Sequence, residues 1–370
     1  MKYYIIAGEA SGDLHGANLM KSLFKYDTDA EIRFWGGDLM KKTGGELVVH
    51  YKERAFMGFA EVFSNLRKIL NFISFCKEDI RKFNPNIIIF IDNSGFNLRI
   101  AKWAKSNGFK TNYYISPQVW ASRAGRIKAI KRDIDKMFVI LPFEKSFYRK
   151  HNYDVEFVGH PLIDGIDNRK LVNESEFRKE HGLGEKPIIA LLPGSRKQEI
   201  TKMLSVMLSL INDFSDYKFV IAGAPSQSFG FYNAFINESD VSFISNKTYD
   251  LLSISYAALV TSGTATLETA LFKVPQVVCY KASNLSYQIA KRIITLEYIS
   301  LVNLVMEKKV VSELIQDEFT YKNLKQELEL ILDRKHREKL FLDYFDLEQR
   351  LGGAGASDKT AKLIISSATK

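Results

Sequence analysis

The stretch Pro187 to Ile200 reads P-I-I-A-L-L-P-G-S-R-K-Q-E-I, and its reading decides the fold. Ile188 to Leu192 form an unbroken apolar run of strand length, the pattern of a parallel strand covered on both faces rather than one with a wet side. Pro193 and Gly194 end it. Ser195 is a suitable helix N-cap, with Glu199 close to capping-box spacing. A strand, a turn and a helix start leave backbone N–H groups at the positive end of a helix dipole, and Arg196 stands beside them with a guanidinium suited to phosphate. The expectation is a diphosphate site at Gly194, Ser195 and Arg196. An ordinary turn with a solvated arginine is the other reading of the same residues.

The 370 residues around this stretch suffice for two domains, each with its own core. With 46% hydrophobic and 26% charged residues the composition is globular, and a formal charge of +9 favours anionic partners without choosing among nucleotides, phospholipid surfaces and nucleic acid. The two cysteines, Cys76 and Cys279, lie far apart, so no disulfide framework is implied and a reducing compartment fits. The apolar start Tyr3 to Ala7 is cut by Gly8, Glu9 and Asp13 too early for a signal peptide and reads as a first strand. No apolar run approaches the roughly 20 residues of a spanning helix, so membrane contact is expected to be peripheral.

In the first half, that strand leads into G-E-A-S-G-D-L-H-G-A, Gly8 to Ala17. The spacing matches neither the dinucleotide fingerprint nor a P-loop. It does place Glu9 and Asp13 at the carboxyl end of a strand, where ligands of open α/β sheets bind. An acid there is either a general base or hydroxyl ligand, or a helix cap. From Phe56 to Phe83 apolar residues recur at helical spacing and then spread beyond one face through Met57, Phe59, Phe63, Leu70, Phe72 and Phe75, with Arg67, Lys68, Lys77, Arg81 and Lys82 interleaved. A broad apolar arc with a basic edge suits an anionic bilayer or acyl chains, and a helix buried on two sides has the same pattern. Asn86 to Ile91 is the clearest buried strand, and it delivers Asp92 before Asn93-Ser94-Gly95-Phe96-Asn97. A partly desolvated acid at a strand end can be raised toward neutrality, which makes Asp92 the first candidate for a general base. Ser116 to Ala121, S-P-Q-V-W-A, follows the next strand, and a basic helical pattern runs from Arg123 to Arg132. Val155 to Asp164, V-E-F-V-G-H-P-L-I-D, closes this half, with His160 either at substrate or holding the interdomain turn.

In the second half, Ala257 to Thr261 delivers S-G-T-A-T-L-E-T-A, Ser262 to Ala270. Ser262, Gly263 and Thr264 open a helix with small donors for phosphate, and Glu268, one turn in, can accept from both hydroxyls of a ribose. Asn303 sits in Ile299 to Val305, Lys322 to Phe345 reads as one amphipathic helix, and Gly352 to Ala356 precede a last helix from Ser357 to Ser367. No His or Cys cluster has metal-ligand spacing.

Two alternating β/α halves resemble a GT-B glycosyltransferase, an α/β fold of two Rossmann-like β/α/β domains facing a cleft. Read in order, G-E-A-S-G-D, M-G-F-A-E-V (Met57 to Val62), S-P-Q-V-W-A, V-G-H-P-L-I-D, L-P-G-S-R, S-G-T-A-T-L-E-T-A and the Asn303 region resemble the lipid-A-disaccharide synthase family over nearly the whole chain. The resemblance implies an acceptor and membrane-facing domain over residues 1–165, joined by the C-terminal segment 345–370, and a UDP-sugar donor domain over 166–344. It implies inverting transfer of diacylglucosamine from UDP-2,3-diacylglucosamine to the 6-hydroxyl of 2,3-diacylglucosamine 1-phosphate, giving UDP and the β-1,6-linked lipid A disaccharide 1-phosphate without metal or cofactor. Asp92, Glu9 and Asn303 would be catalytic. Gly194, Ser195, Arg196, Ser262, Gly263, Thr264 and Glu268 would hold UDP, while Ser11, Asp13, Met57, Phe59 and Phe63 would face the acceptor and its lipid. The expected setting is cytoplasmic, peripheral on the inner membrane's cytoplasmic face, as a monomer or homodimer with no nucleic-acid partner. One position departs from the family pattern D-x-P-D-F-N: its second acid is Gly95 here. Either Asp92 serves as base, or Glu9 or Asp13 does, or the hydroxyl needs little help. The rivals are another UDP-sugar enzyme of the same fold, whether the N-acetylglucosaminyltransferase that forms lipid II or a non-hydrolysing epimerase, and a nucleotide- or lipid-binding protein without turnover.

Overall fold

A computed structural model describes residues 1–54, 66–122, 124–236, 240–282, 287 and 296–368. Met57, Phe59 and Phe63 lie outside the described residues. The chain forms two compact units, one from residues 1–164 and 351–370 and the other from residues 165–350.

Among the described residues, the first unit's sheet has strands β1 (Lys2–Ala7), β2 (Glu31–Gly36), β3 (Glu46–His50), β4 (Ile87–Ile91), β5 (Lys110–Tyr114), β6 (Lys136–Val139) and β7 (Glu156–Phe157). They run parallel in the order β3-β2-β1-β4-β5-β6-β7. All five residues of β4 are buried, which is the outcome an unbroken I-I-I-F-I run dictates once helices cover both faces. The second unit repeats the plan with β8 (Ile188–Leu192), β9 (Lys218–Gly223), β10 (Val241–Ser245), β11 (Ser255–Thr261), β12 (Gln276–Tyr280) and β13 (Ser312–Ile315), in the order β10-β9-β8-β11-β12-β13. Both orders reverse direction once, between β1 and β4 and between β8 and β11. In open parallel sheets that reversal opens a crevice at the strands' carboxyl ends, where ligands bind. The P-I-I-A-L-L-P-G-S-R stretch is β8 and its turn, so it lies at the reversal of its own sheet.

The last helix, Ala356–Ala368, belongs to the first unit. Ala361 and Ile364 are buried in the core beside β1 and β4, and Asp358 accepts hydrogen bonds from the Ser22 hydroxyl (2.6 Å), Lys25 (2.7 Å) and Tyr26 (2.7 Å). Asp164 caps this helix through the backbone N–H groups of Gly355 (2.5 Å) and Ser357 (3.1 Å). The segment expected as one helix from Lys322 to Phe345 is two, Tyr321–Leu332 and Arg334–Arg350. Asp333 is extended, and its carboxylate accepts from the His336 N–H (3.0 Å), so it ends one helix and starts the next.

Candidate active site

In the first unit the reversal point is built by two turns that touch. Chain leaving β1 passes Gly8 into the helix Ala10–Tyr26, with Glu9 exposed at the N-cap position and its carboxylate making no cap bond. Chain leaving β4 turns through Asp92 and Asn93, both with positive φ (46° and 41°), before the helix Ser94–Ser106. Two consecutive non-glycine residues in the left-handed region cost ~1–3 kcal/mol each and need outside support. Asn97 supplies it, because its side-chain N–H₂ lies against the carbonyls of Asp92 (2.8 Å), Ile91 (3.1 Å) and Ile6 (3.4 Å). The Tyr113 hydroxyl also donates to the Asp92 carbonyl. A Cβ on Gly8 would lie 1.7 Å from the Asn93 side-chain nitrogen, so the glycine is what lets the two turns close on each other.

These supports leave the Asp92 carboxylate half-buried near Glu9. Burial, and then the negative charge of Glu9, raise its pKa above the ordinary aspartate value, with the Asn93 backbone N–H opposing. Such a carboxyl is a stronger base than one in water, as proton abstraction from a hydroxyl requires. Arg126, from the segment after β5, donates to the Ser94 hydroxyl (2.8 Å), two residues beyond Asp92. Gly95 is exposed, and a Cβ built on it meets nothing within 4 Å. Ser11 is exposed at the same end of the sheet.

Asp13 is placed differently from the expectation. It is buried, and its carboxylate accepts the backbone N–H groups of Gly37 (2.7 Å), Leu39 (3.0 Å) and Met40 (3.1 Å), capping the helix Asp38–Thr43. It ties β1's helix to the turn after β2. His160 likewise holds the chain where it leaves the first unit, its ring Nδ1 accepting from the Leu162 N–H (3.2 Å) while its backbone N–H donates to the Leu351 carbonyl (2.8 Å).

In the second unit the turn after β8 holds Gly194 at a φ of 105° and exposes Ser195 and Arg196. The N-cap is Arg196, one residue later than expected. Glu199 reaches back to the N–H groups of Ser195 (3.4 Å) and Arg196 (3.3 Å), and the guanidinium lies 3.4 Å from the same carboxylate. After β11, Ser262 donates its hydroxyl to the Ile299 carbonyl (2.9 Å) and its N–H to Cys279 (3.2 Å). Gly263 and Thr264 are exposed at the start of the helix Thr264–Leu271, with no side chain capping it. Thr261, unmarked by the sequence, has a hydroxyl buried there without a hydrogen-bond partner among the described residues. Glu268 is half-buried, its pKa is raised by burial, and the Tyr249 hydroxyl donates to it (2.7 Å), fixing one oxygen and leaving the other. The pair of turns thus offers one carboxylate, one guanidinium and the donors of Gly263 and Thr264 to a nucleoside diphosphate.

Asn303, expected to be catalytic, is fully buried. Its carbonyl oxygen accepts from the N–H groups of Val310 (2.8 Å) and Val311 (2.9 Å), and its N–H₂ donates to the Val311 carbonyl (2.9 Å) and Glu313 (2.8 Å). Every polar atom of the side chain is engaged in fastening the helix Leu301–Met306 to the approach to β13.

Comparison with known proteins agrees with this layout. A family model described as lipid-A-disaccharide synthetase matches residues 3–363. A lipid-A-disaccharide synthase of Syntrophus aciditrophicus (strain SB) is 40% identical over 372 aligned residues, covering 98% of this chain and 96% of its own. One from Geobacter sulfurreducens is 36% identical over 369, with the same coverages. Among solved structures, a UDP-GlcNAc 2-epimerase from Neisseria meningitidis bound to UDP-GlcNAc superposes with a TM-score of 0.68 at 12% identity, over 100% of both chains. At that identity the likeness concerns the fold, which is of the GT-B type.

Proposed function

The chain belongs to the lipid-A-disaccharide synthase family and is a glycosyltransferase of lipid A biosynthesis, and we propose that Asp92 is the general base of its transfer step. The donor is UDP-2,3-diacylglucosamine and the acceptor 2,3-diacylglucosamine 1-phosphate. Asp92 takes the proton of the acceptor's 6-hydroxyl as that oxygen attacks the anomeric carbon. The bond from that carbon to the β-phosphate oxygen breaks, UDP leaves with the electron pair, and inversion gives the β-1,6 linkage. Arg196, Gly194 and the Gly263-Thr264 helix start meet the charge that develops on UDP, Ser195 and Ser262 shape those turns, and Glu268 accepts from the ribose. Glu9 keeps the Asp92 site electronegative, and Ser11 lies at the acceptor's edge.

The observation that carries this reading is the convergence of Glu9 and the raised Asp92 at the first sheet's reversal point. The membrane side of the proposal rests on the helix Leu66–Phe83, which exposes Leu70 and Phe75 beside Arg67 and Lys68. An open groove of about 750 Å³ lies along it, lined by Val48, Val49, Phe72 and Phe75 with Glu53, Lys68 and Asn71. An apolar trough with a cationic edge fits acyl chains at an anionic surface. The enzyme would then work as a peripheral protein on the cytoplasmic face of the inner membrane. No helix among the described residues is long and apolar enough to cross a membrane.

The test is UDP release by purified protein given both lipids in detergent, run beside Asp92→Asn. Turnover that needs both lipids and falls ~10²–10⁴-fold in the variant, with UDP affinity kept, is the expected result. Full turnover in the variant moves the base to Glu9. A folded wild-type protein that binds UDP and releases none overturns the transferase reading.

A further inference from the structure

The helix Thr264–Leu271 presents two of the residues proposed for the nucleotide one turn apart. Thr264 opens the helix and Glu268 follows four residues later on the same face, in the order in which phosphate and ribose follow one another in a nucleotide. Part of the hydrogen bonding of Glu268 is already taken. The Tyr249 hydroxyl donates to Oε1 at 2.7 Å, while Oε2 has no partner among the described residues and is not among the polar atoms that burial closes off. One oxygen is engaged within the protein, and the other is open to a ligand.

Tyr249 comes from the preceding crossover. It lies in the short helix Thr248–Ser253, between β10 and β11, which Leu251 and Leu252 fasten into the same core as Ala258 and Val260 of β11. Its ring meets Phe272 at 5.2 Å, directly after the Glu268 helix, and the Arg169 guanidinium lies over the Phe272 ring at 4.7 Å. Ring and hydroxyl are thus fixed by groups on both elements. Burial, and then the charge of Glu268, push the Tyr249 hydroxyl well above the ordinary tyrosine value, so it keeps its proton. Burial raises the pKa of Glu268 as well, and the Tyr249 bond opposes that rise by favouring the ionised form. An ionised carboxylate accepts and cannot donate, so the open oxygen suits a partner that brings O–H groups.

We propose that Tyr249 is a positioning residue, whose hydroxyl anchors Oε1 of Glu268 so that Oε2 faces the ribose hydroxyls, and that this bond sets the preference for a ribonucleotide donor. The inference rests on Glu268 meeting the ribose, as in the function proposed above. A site built to accept from hydroxyls rejects an analogue that lacks them, because its carboxylate is then left partly desolvated and unpaired. Without the Tyr249 hydroxyl, Glu268 loses both its orientation and the group that favours its charge.

The experiment is calorimetric titration of the full chain with UDP and with 2′,3′-dideoxy-UDP, on wild type, Tyr249→Phe and Glu268→Ala, with thermal melts alongside. Wild type should bind UDP at least about tenfold more tightly than the dideoxy analogue. In Tyr249→Phe the UDP Kd should rise about tenfold while the dideoxy Kd stays within about twofold, so the preference largely disappears. A tyrosine that merely packed would weaken both ligands alike. Raising the pH from about 6 to about 8 should restore UDP affinity to Tyr249→Phe relative to wild type, since the lost donor lets burial hold Glu268 neutral to a higher pH. Equal losses for both ligands, or an unchanged preference, in folded Tyr249→Phe overturns the proposal. So does a wild type that binds the two ligands equally, a result that depends on no variant folding. Glu268→Ala separates this failure from that of the underlying reading. A preference kept in Glu268→Ala means that the ribose is held elsewhere and removes the inference with that reading, whereas one lost there and kept in Tyr249→Phe sinks the role of Tyr249 alone. Turnover plays no part in the titration, so a protein that binds UDP and releases none leaves the test standing.

Discussion

At the scale of single residues, the position of Asp92 was legible because an unbroken apolar run points the next acid at the strand's end. The partners that hold Asp13 and Asn303 were not. Each has the right residue type near a strand end, but what engages Asp13 arrives from Gly37 to Met40, and what engages Asn303 from Val310 to Glu313. Sequence spacing carries no record of such closures. Gly95 poses the sharper question, since the family pattern has an acid there. It is the second residue of the helix Ser94–Ser106, outside the left-handed region, with open space where a side chain would go. Gly95→Asp should therefore fold, and it should gain about 0.5–1 kcal/mol from replacing a helical glycine and placing a carboxylate in a first turn. An exposed acid at 95 lacks the desolvation that raises Asp92, so the double variant Asp92→Asn/Gly95→Asp should stay as inactive as Asp92→Asn. Restored UDP release in the double variant would show that position 95 can serve as the base.

The element that most constrains the first unit is the helix Ala10–Tyr26, which starts at Glu9, carries the Asp13 cap and buries His15. His15 Nδ1 has no hydrogen-bond partner among the described residues. Burial lowers its pKa to about 4, opposed by the charge of Asp164, and lowers that of His160 to about 3, with His15 adding to the effect. Both imidazoles are thus neutral in the fold and ordinary in the unfolded chain. For His15 the unfolded chain binds the proton and the folded one does not between about pH 6.5 and pH 4, so its contribution to stability falls as pH falls through that window and levels off below it, while that of His160 goes on falling to about pH 3. Acids with raised folded pKa values, Asp92 and Glu144, slope the other way over part of this range. The histidine contribution is therefore read as a difference. In His15→Leu the loss of melting temperature between pH 6.5 and pH 4 should be smaller than in wild type, and identical slopes would mean that His15 is protonated in the fold or titrates unchanged.

For the whole molecule, the inner strands of both sheets could be read from the sequence because burial on two faces demands continuous apolar runs. Two edge strands, β3 and β13, escaped for the converse reason: E-L-V-V-H and S-E-L-I bury one residue each. The reversal points followed from strand order, which no local pattern contains. Where residues 351–370 pack is also a long-range fact, since Ile364 enters a core built from Tyr3, Ile5, Ile87 and Ile89. Because that helix completes the first unit while the residues proposed to hold the nucleotide all lie in the second, damage to one should be separable from ligand binding by the other. Ile364→Ala should cost about 2–5 kcal/mol, the range for deleting a buried isoleucine side chain. Calorimetry should then show the first unit melting earlier, with UDP affinity by titration near that of wild type below the melt. Added UDP at about 100 times its Kd stabilises whatever it binds by about 2.7 kcal/mol, so it should raise the melting of the second unit and leave the lowered transition in place. A loss of UDP affinity in folded Ile364→Ala would instead mean that the C-terminal helix supports the nucleotide site, and that the two units do not melt as independent bodies.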